Sequence, residues 1–539
     1  MKKIISLVLS LVMLMAIAAP SMSAYAAEKT VNVYISGYGT ALYDETGKQV
    51  YDVDLDLVNK LKEILDELLV DLAKGMIFGD YDDYCDKLYN LMGPGYADVK
   101  LDNNGECTDE NGNHYHGRGF DPTTTLSYSK GNFTGGQYNF LYDWRLSVEY
   151  NAELLDVFIA NVLKKTGATR VNLIGRCLGG NVISAYLENA PEASLDRLNK
   201  VVMYIPSTLG VDFIGALFSG EIYLDSNAID NYVRYTLEDN DIIGNTDGEN
   251  DSLFMMLKTI IEFTNEVYVL GFGADVVQSI LDAVKENVLA RILRDSYGTF
   301  PGFWAMVADE YVEKAINFMF NTPELQQEYE GLISKARSYH ENVQLNAEET
   351  MLELIENKNI DIMVISKYNY ANFPLSKDAL THSDGTASTK LTSFGATTSN
   401  FGETLTKKYI SSIPEGNLRY LSKDNMIDAS TCLLPEKTWF FKNLYHATFP
   451  PSVDRMINTF LNSEDMTIDS YEEYPQFLKY DAETDSYTEV TGLDEGDIIE
   501  RGTVEKKLSV FMRFITMLLN FFTKLFNGEL SFDGLFNKE

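Results

Sequence analysis

A turn framed by glycines at residues 173–180, LIGRCLGG, constrains the fold of this chain more than any other stretch. The run VNLI that precedes it is apolar, which is typical of a buried strand, and a helical pattern begins at Gly180. A strand that passes directly into a helix needs a sharp turn, and Gly175 and Gly179 leave room for it because they carry no side chain. Cys177 is therefore expected at the tip of the turn, with its side chain pointing away from the sheet.

Helical and strand patterns alternate on both sides of this turn. Apolar β-rich runs are expected to form strands, and a helix is expected over about 152–165 between two of them. The predicted strands are 30–35, 170–174, 200–205, 360–365 and 438–441. This alternation favours a mostly parallel sheet covered by helices, which is an α/β fold.

Two segments interrupt the sheet pattern. Residues 79–134 are rich in Asp, Asn, Gly and Tyr and are interpreted as an irregular insertion, whereas residues 210–358 are mostly helical and are interpreted as a cap or lid. The core is thus predicted in two parts, 27–209 and 359–465, and residues 466–539 are assigned to a C-terminal extension.

The first 26 residues are typical of a signal peptide. Lys2 and Lys3 precede an apolar stretch over 4–19, and Ala24-Tyr25-Ala26 forms the small-residue motif at which such peptides are cleaved. An uncleaved N-terminal anchor is the alternative. The protein is therefore expected to be secreted, in the extracellular space or associated with a membrane or cell surface.

Export permits disulfides, and the chain has four cysteines. Cys85 and Cys107 lie in one polar segment and are the candidate disulfide, which would leave Cys177 free.

Charge and the tail restrict the partners. The chain has 80 acidic and 44 basic side chains, so its formal charge of −36 would repel nucleic acid. Residues 508–526 are apolar except for a narrow polar stripe at helical spacing, which indicates an amphipathic helix. That helix is expected either to dock on the core or to make peripheral contact with a membrane.

Cys177 is the candidate nucleophile. The backbone N–H of Leu178 starts the following helix, so it can donate to an oxyanion, and the helix N-terminus favours a thiolate. A second oxyanion donor is expected from the loop after the first strand, SGYG at 36–39, and the N–H of Tyr38 is the preferred group.

Five histidines and several aspartates compete for the other roles. His446 is the preferred base, because it follows the last predicted strand in KNLYH. Asp424 is the preferred acid to orient its imidazole, and Asp384 and Asp428 are the alternatives. His114 and His116 lack a third ligand at a telling spacing, so we predict no metal and no cofactor.

The segments FLYDWRLS and VNLIGRCLGG resemble the PYDWR and IGHSxGG blocks of the lecithin:cholesterol acyltransferase and lipase branch of the α/β-hydrolases. VYISGYGTALY resembles the oxyanion segment of that branch, and SKDNMIDAS with KNLYH resembles the acid and histidine blocks of small bacterial lipases. The resemblance implies an α/β-hydrolase fold in which Cys177 replaces the usual serine. Cysteine elbows also occur in the polyhydroxyalkanoate synthases and dienelactone hydrolases of this superfamily.

These observations predict a lipase-like or esterase-like acyl hydrolase, or an acyltransferase, that forms an acyl-cysteine. Its substrate would be a lipid or another hydrophobic ester or thioester. The alternative is a catalytically silent protein of the same fold that binds a surface or membrane.

Overall fold

The computed structural model describes residues 29–38, 100–107, 123–223 except 132, and 282–499. It also describes most of 64–92, the backbone at 42–43 and 116–117, and a few residues between 228 and 236. The predicted signal peptide, the tail helix 508–526, His114 and most of the middle of the predicted cap lie outside these residues.

A nine-stranded sheet forms the centre of the described structure. Its strands in chain order are β1 Thr30–Ile35, β2 Ser127–Ser129, β3 Gln137–Phe140, β4 Arg170–Arg176, β5 Leu198–Tyr204, β6 Asp361–Tyr368, β7 Thr438–Lys442, β8 Phe477–Asp481 and β9 Ser486–Glu489. Their order across the sheet is β9-β8-β7-β6-β5-β4-β1-β3-β2. The seven strands from β8 to β3 run parallel, and β9 and β2 pair antiparallel at the two edges.

Both faces of the sheet are buried, and the strand sequences explain why. In β4, Leu173 packs into the core on one face and Ile174 into the core on the other, and Val201 and Val202 of β5 divide in the same way. Consecutive side chains of a strand point to opposite faces, so a strand that is apolar at every position requires cover on both sides.

Helices supply that cover. Those of eight residues or more are α1 Asp82–Met92, α2 Val148–Thr166, α3 Leu178–Asn189, α4 Asp212–Ser219, α5 Val312–Met319, α6 Glu330–Tyr339, α7 Ala347–Lys358 and α8 Pro451–Asn462. The short helices and single turns are Glu192–Leu195, Lys285–Leu289, Ala290–Arg294, Tyr297–Thr299, Pro301–Trp304, Asp309–Tyr311, Pro323–Glu328, His340–Gln344, Thr389–Thr392, Lys407–Ile410, Glu415–Tyr420 and Ala429–Thr431.

The long helix α2 illustrates how the sequence sets an element. Ser147 caps its first turn by accepting a hydrogen bond from the Tyr150 N–H, and Gly167 ends it at a φ of 67°. Leu155, Phe158 and Ile159 form its buried stripe, which packs into the same core as α3.

The described part of the predicted cap packs directly on α3. Asn181 of α3 donates to the carbonyls of Ser207 and Ala305, and Gln344 donates to those of Thr208 and Val307. The bond from Asn181 to Ala305 joins this segment to the helix that follows Cys177, and the bond from Gln344 to Thr208 joins it to the loop after β5. This part of the segment therefore belongs to the same packed body as the sheet.

Two predicted boundaries need correction. The sheet does not end before residue 465, because β8 pairs in parallel with β7 and β9 pairs with β8. The segment 79–134 is not wholly irregular, because it contains α1 and β2. The acidic residues of α1 made its sequence look like a loop, although Tyr84, Cys85 and Leu88 recur at helical spacing and are buried.

The topology confirms the predicted fold class. Parallel strands alternate with helices, and a strand, a sharp turn and a helix meet at Cys177. Asp384 follows β6, and His446 follows β7 in the loop before α8. This arrangement is the α/β-hydrolase fold. No described helix is both long enough and apolar enough to span a bilayer.

Candidate active site

The turn at Cys177 joins β4 to α3 with a strained backbone. Cys177 has a φ of 50° and a ψ of −122°, a conformation that residues with a side chain rarely adopt. A Cβ on Gly175 would lie 2.6 Å from Cδ1 of Ile183, and one on Gly179 would collide with the carbonyl oxygen of Ile35. At both positions a side chain would meet neighbouring atoms, so the close packing requires glycine.

The loop after β1 passes beside Cys177. A Cβ built on Gly37 would lie 3.0 Å from Cβ of Cys177 and 3.7 Å from its Sγ. The ring of the next residue, Tyr38, packs edge-on against Trp144 and Phe303, at centroid distances of 5.0 and 5.2 Å. The predicted oxyanion loop thus lies next to the predicted nucleophile.

His446 and Asp384 form a hydrogen-bonded pair. Nδ1 of His446 lies 2.7 Å from Oδ2 of Asp384, and the backbone N–H of His446 donates to the Asp384 carbonyl, also at 2.7 Å. The other carboxylate oxygen of Asp384 accepts from the N–H groups of Thr386 and Ala387 at 3.0 and 2.8 Å. Asp384 is fully buried, so each of its oxygens has a defined partner.

His446 also contacts Cys177. His446 lies close enough to Cys177 for each group to shift the pKa of the other, and Nδ1 is already used by Asp384, so Nε2 is the ring nitrogen available to the thiol. Cys177, His446 and Asp384 therefore lie together, with a hydrogen bond between His446 and Asp384.

The neighbours of Cys177 favour its thiolate. Burial alone would raise the pKa of the thiol, but His446, the Leu178 N–H and the charge of Arg176 together lower it. Burial would conversely lower the pKa of His446, but Asp384 and Cys177 raise it to about 9. The two shifts both favour the thiolate–imidazolium form of the pair.

The choice of Asp424 as the orienting acid was wrong. Asp424 is fully buried and lies in a different cluster, where it accepts a hydrogen bond from the Tyr368 hydroxyl at 3.0 Å and pairs with Lys442 at 3.2 Å. Lys442 is itself fully buried in β7 and needs carboxylates around it. This requirement, and not the histidine, explains the position of Asp424.

Asp428, the other alternative, has a local role. Its side chain accepts hydrogen bonds from the Ser430 N–H and the Tyr409 hydroxyl, both at 2.9 Å. Asp384 is therefore the one of the three candidates that the structure places against His446. A two-residue ladder of 370–371 with 382–383 folds its loop back toward the end of β6.

The predicted disulfide is not formed. Cys85 and Cys107 are both buried and both free. The Cys85 thiol donates to the Ala283 carbonyl at 3.6 Å, whereas Cys107 contacts the guanidinium of Arg145. Because the two thiols contact different partners, their closeness along the sequence did not predict a disulfide.

The YDWR motif at residues 142–145 packs beside the site. Arg145 and Asp143 of this motif form a buried ion pair, with a shortest contact of 2.6 Å. Tyr142 was missed by the sequence analysis, although its hydroxyl donates to the Ser36 carbonyl at 2.8 Å, in the loop beside Cys177. Tyr142 directly precedes Asp143 in the YDWR motif, and this position is the sequence signal that could have indicated its role.

Comparison with known proteins adds little to this geometry. No family model and no curated protein sequence matches the chain. Among solved structures, the serine hydrolase CCSP0084 from the polyaromatic hydrocarbon-degrading bacterium Cycloclasticus zankles is similar at 11% identity and a TM-score of 0.18, covering 66% of this chain and 77% of that one. The prohormone-processing carboxypeptidase Kex1 from Saccharomyces cerevisiae is similar at 10% identity and a TM-score of 0.20, covering 64% and 66%. At these TM-scores the likeness carries no argument, and the assignment of the α/β-hydrolase fold depends on the topology.

Proposed function

We propose that the protein is an acyl hydrolase or acyltransferase that works through an acyl-cysteine at Cys177. The observation that carries this proposal is the hydrogen-bonded pair of His446 and Asp384, together with Cys177 at the strained turn, close enough for the thiol and the imidazole to shift each other's pKa. A nucleophile, a base and an orienting acid within hydrogen-bond reach are the arrangement that nucleophilic acyl chemistry requires.

The first step would be attack by the thiolate on the carbonyl carbon of an ester or thioester. The N–H groups of Leu178 and Tyr38 would stabilise the oxyanion. Nε2 of His446 would then give its proton to the leaving alkoxide or thiolate, while the carbon–oxygen or carbon–sulfur bond breaks. The product of this step is a thioester on Cys177.

The second step would release the acyl group. Neutral His446 would take a proton from water, or from an alcohol, amine or thiol acceptor, as the acceptor attacks the thioester. Cys177 leaves as the thiolate, and Asp384 keeps the imidazole oriented throughout. A hydrophobic acyl group remains our proposal for the substrate, on the strength of the apolar helical segment 210–358.

The test is a search for the covalent intermediate. The mature protein is incubated with short-chain and long-chain p-nitrophenyl esters and acyl thioesters, and the mass of the Cys177 peptide is measured. We expect an increase equal to one acyl group, which is absent in Cys177→Ala. Absence of any adduct or turnover in the wild type would contradict the proposal and favour a silent binding protein.

Cys177→Ser is the matched variant. It keeps the turn and the partners but restores a hydroxyl, whose nucleophilicity depends on His446 as a base, because it is not ionised in the ground state. We expect slower acylation, with the adduct now held as an ester on residue 177.

A further inference from the structure

The loop that carries His446 is held by a buried lysine on a neighbouring strand. Lys367 of β6 is fully buried, and its ammonium donates to the carbonyls of Tyr445, His446 and Thr448 at 2.9, 3.1 and 2.8 Å. A lysine ammonium has three protons, so all three are directed into this one loop.

A second cation holds the same loop through an aromatic ring. Phe449 ends the loop, and its ring contacts two positive groups. The guanidinium of Arg176 stacks 3.4 Å from the ring centroid, and the ammonium of Lys367 lies 4.4 Å from it. Because Arg176 directly precedes Cys177, this contact ties the histidine loop to the strand that ends in the nucleophile.

The charges around Lys367 belong to the site. The carboxylate of Asp384 and the thiolate of Cys177 attract its ammonium, Arg176 repels it, and the ring of Tyr204 lies 5.1 Å away. Burial is the largest influence and lowers the pKa of Lys367 to about 7. A leucine or methionine could fill this space without the cost of burying a charge, so the loop contacts are what the ammonium adds.

We propose that Lys367 and Arg176 form a two-cation clamp that positions His446 Nε2 against Cys177 Sγ. Lys367 acts through the loop carbonyls, and Arg176 acts through Phe449. Both are positioning residues. Their importance for turnover rests on the proposed function, whereas their effect on the thiol does not.

The chain contains a matched control for Lys367. Lys200 of β5 is also buried, donates to the carbonyls of Phe460 and Ser463 at 2.8 Å each, and lies 4.4 Å from the ring of Phe460. It holds the far end of α8, whereas Lys367 holds the loop before α8. Both lysines donate to backbone carbonyls beside a phenylalanine ring, although Lys200 also pairs with Asp361 at 3.1 Å, and only Lys367 contacts the site.

The experiment measures the rate of alkylation of Cys177 by iodoacetamide as a function of pH, in the full mature protein, by mass spectrometry of the Cys177 peptide. In the wild type we expect the midpoint below the ordinary thiol value of about 8.5. In Lys367→Met the midpoint should rise by about one unit, and at a pH below both midpoints the rate should fall roughly tenfold, because one pKa unit is there a tenfold change in thiolate fraction. Lys200→Met should lower the melting temperature and leave the pH profile unchanged.

Phe449→Leu is the second variant, because it removes the aromatic ring that Arg176 and Lys367 both contact and leaves both charges in place. It should raise the midpoint in the same direction, and it decides the outcome if Lys367→Met does not fold. A wild-type profile in Phe449→Leu and Lys367→Met, or an equal shift in Lys200→Met, would overturn the clamp. Failure of the wild type to form an acyl adduct, with these alkylation shifts intact, would instead overturn the proposed function alone.

Discussion

At the scale of single residues, Cys177 differs from a serine in the same turn because a thiol ionises readily. The charge of His446, the Leu178 N–H and the charge of Arg176 all favour the ionised form. Asp384 and Cys177 raise the pKa of His446, so the thiol and the imidazole each favour the charged form of the other. The orienting acid, Asp384, completes the arrangement from the far side of the imidazole.

Substitution of Asp384 and of Asp424 should have different effects, one on kcat and the other on stability. Asp384→Asn is expected to lower kcat for an acyl ester by roughly 10²–10⁴-fold, because an amide neither stabilises the imidazolium nor holds the neutral imidazole in the required tautomer. Asp424→Asn is expected to lower the melting temperature, since it weakens the carboxylate cluster around Lys442, and to leave kcat of the folded protein unchanged. Equal losses of kcat in both variants would contradict the assignment.

The pKa shifts predict the pH dependence of acylation. The pKa of His446 is raised to about 9, so its imidazolium is present below that pH and is lost as pH rises through it. The pKa of Cys177 is lowered, so its thiolate is lost as pH falls through the lowered value. The pre-steady-state acylation rate should thus be highest between the lowered pKa of Cys177 and the raised pKa of His446, and decline above about pH 9. A rate that rises continuously through pH 9 would contradict the ion pair.

At the scale of elements, the site depends on how closely β1, β4 and α3 approach one another. Gly179 in the first turn of α3 lies against the carbonyl of Ile35 at the end of β1, so the helix starts where no side chain would fit. This contact brings the loop after β1 next to Cys177. The order of the strands in the sheet does not by itself set so short a distance between the loop and the turn.

A methyl group at Gly179 tests this approach. Gly179→Ala should destabilise the protein by about 1–3 kcal/mol or more, because the added methyl overlaps the Ile35 carbonyl oxygen. Gly416→Ala is the control, since a Cβ there meets nothing within 4 Å, and it should change stability by no more than about 0.5 kcal/mol. Urea denaturation of both variants provides the measurement, and similar midpoints would contradict the packing argument.

At the scale of the whole molecule, the sheet and helices place the candidate site in a single body, while both ends of the chain lie outside the described residues. We propose export of the mature chain and contact of residues 508–526 with a membrane. The sequence pattern supports both proposals.

Processing of the N-terminus is directly measurable. If residues 1–26 are a signal peptide, N-terminal sequencing of the protein recovered outside the cell should begin near Ala27. An intact Met1 on protein held in the membrane would favour the uncleaved anchor.

The tail makes a separate prediction. Deletion of residues 508–526 should reduce co-sedimentation with liposomes, because the apolar face of an amphipathic helix supplies the buried area for interfacial binding. Equal sedimentation of the full chain and the deletion variant would contradict membrane contact through the tail.

The sequence by itself determined the fold class, the turn at Cys177 and the position of His446. Strand and helix patterns and close-packed glycines are local properties, so they can be read along the chain. Only the tertiary structure decided between Asp384 and Asp424, assigned Tyr142 and Lys367 to the site, and left Cys85 and Cys107 unpaired. These choices depend on which buried charge faces which loop across the sheet. The partners of a buried lysine such as Lys442 or Lys367 depend on desolvation and on three-dimensional geometry. The spacing of residues along the sequence predicts neither.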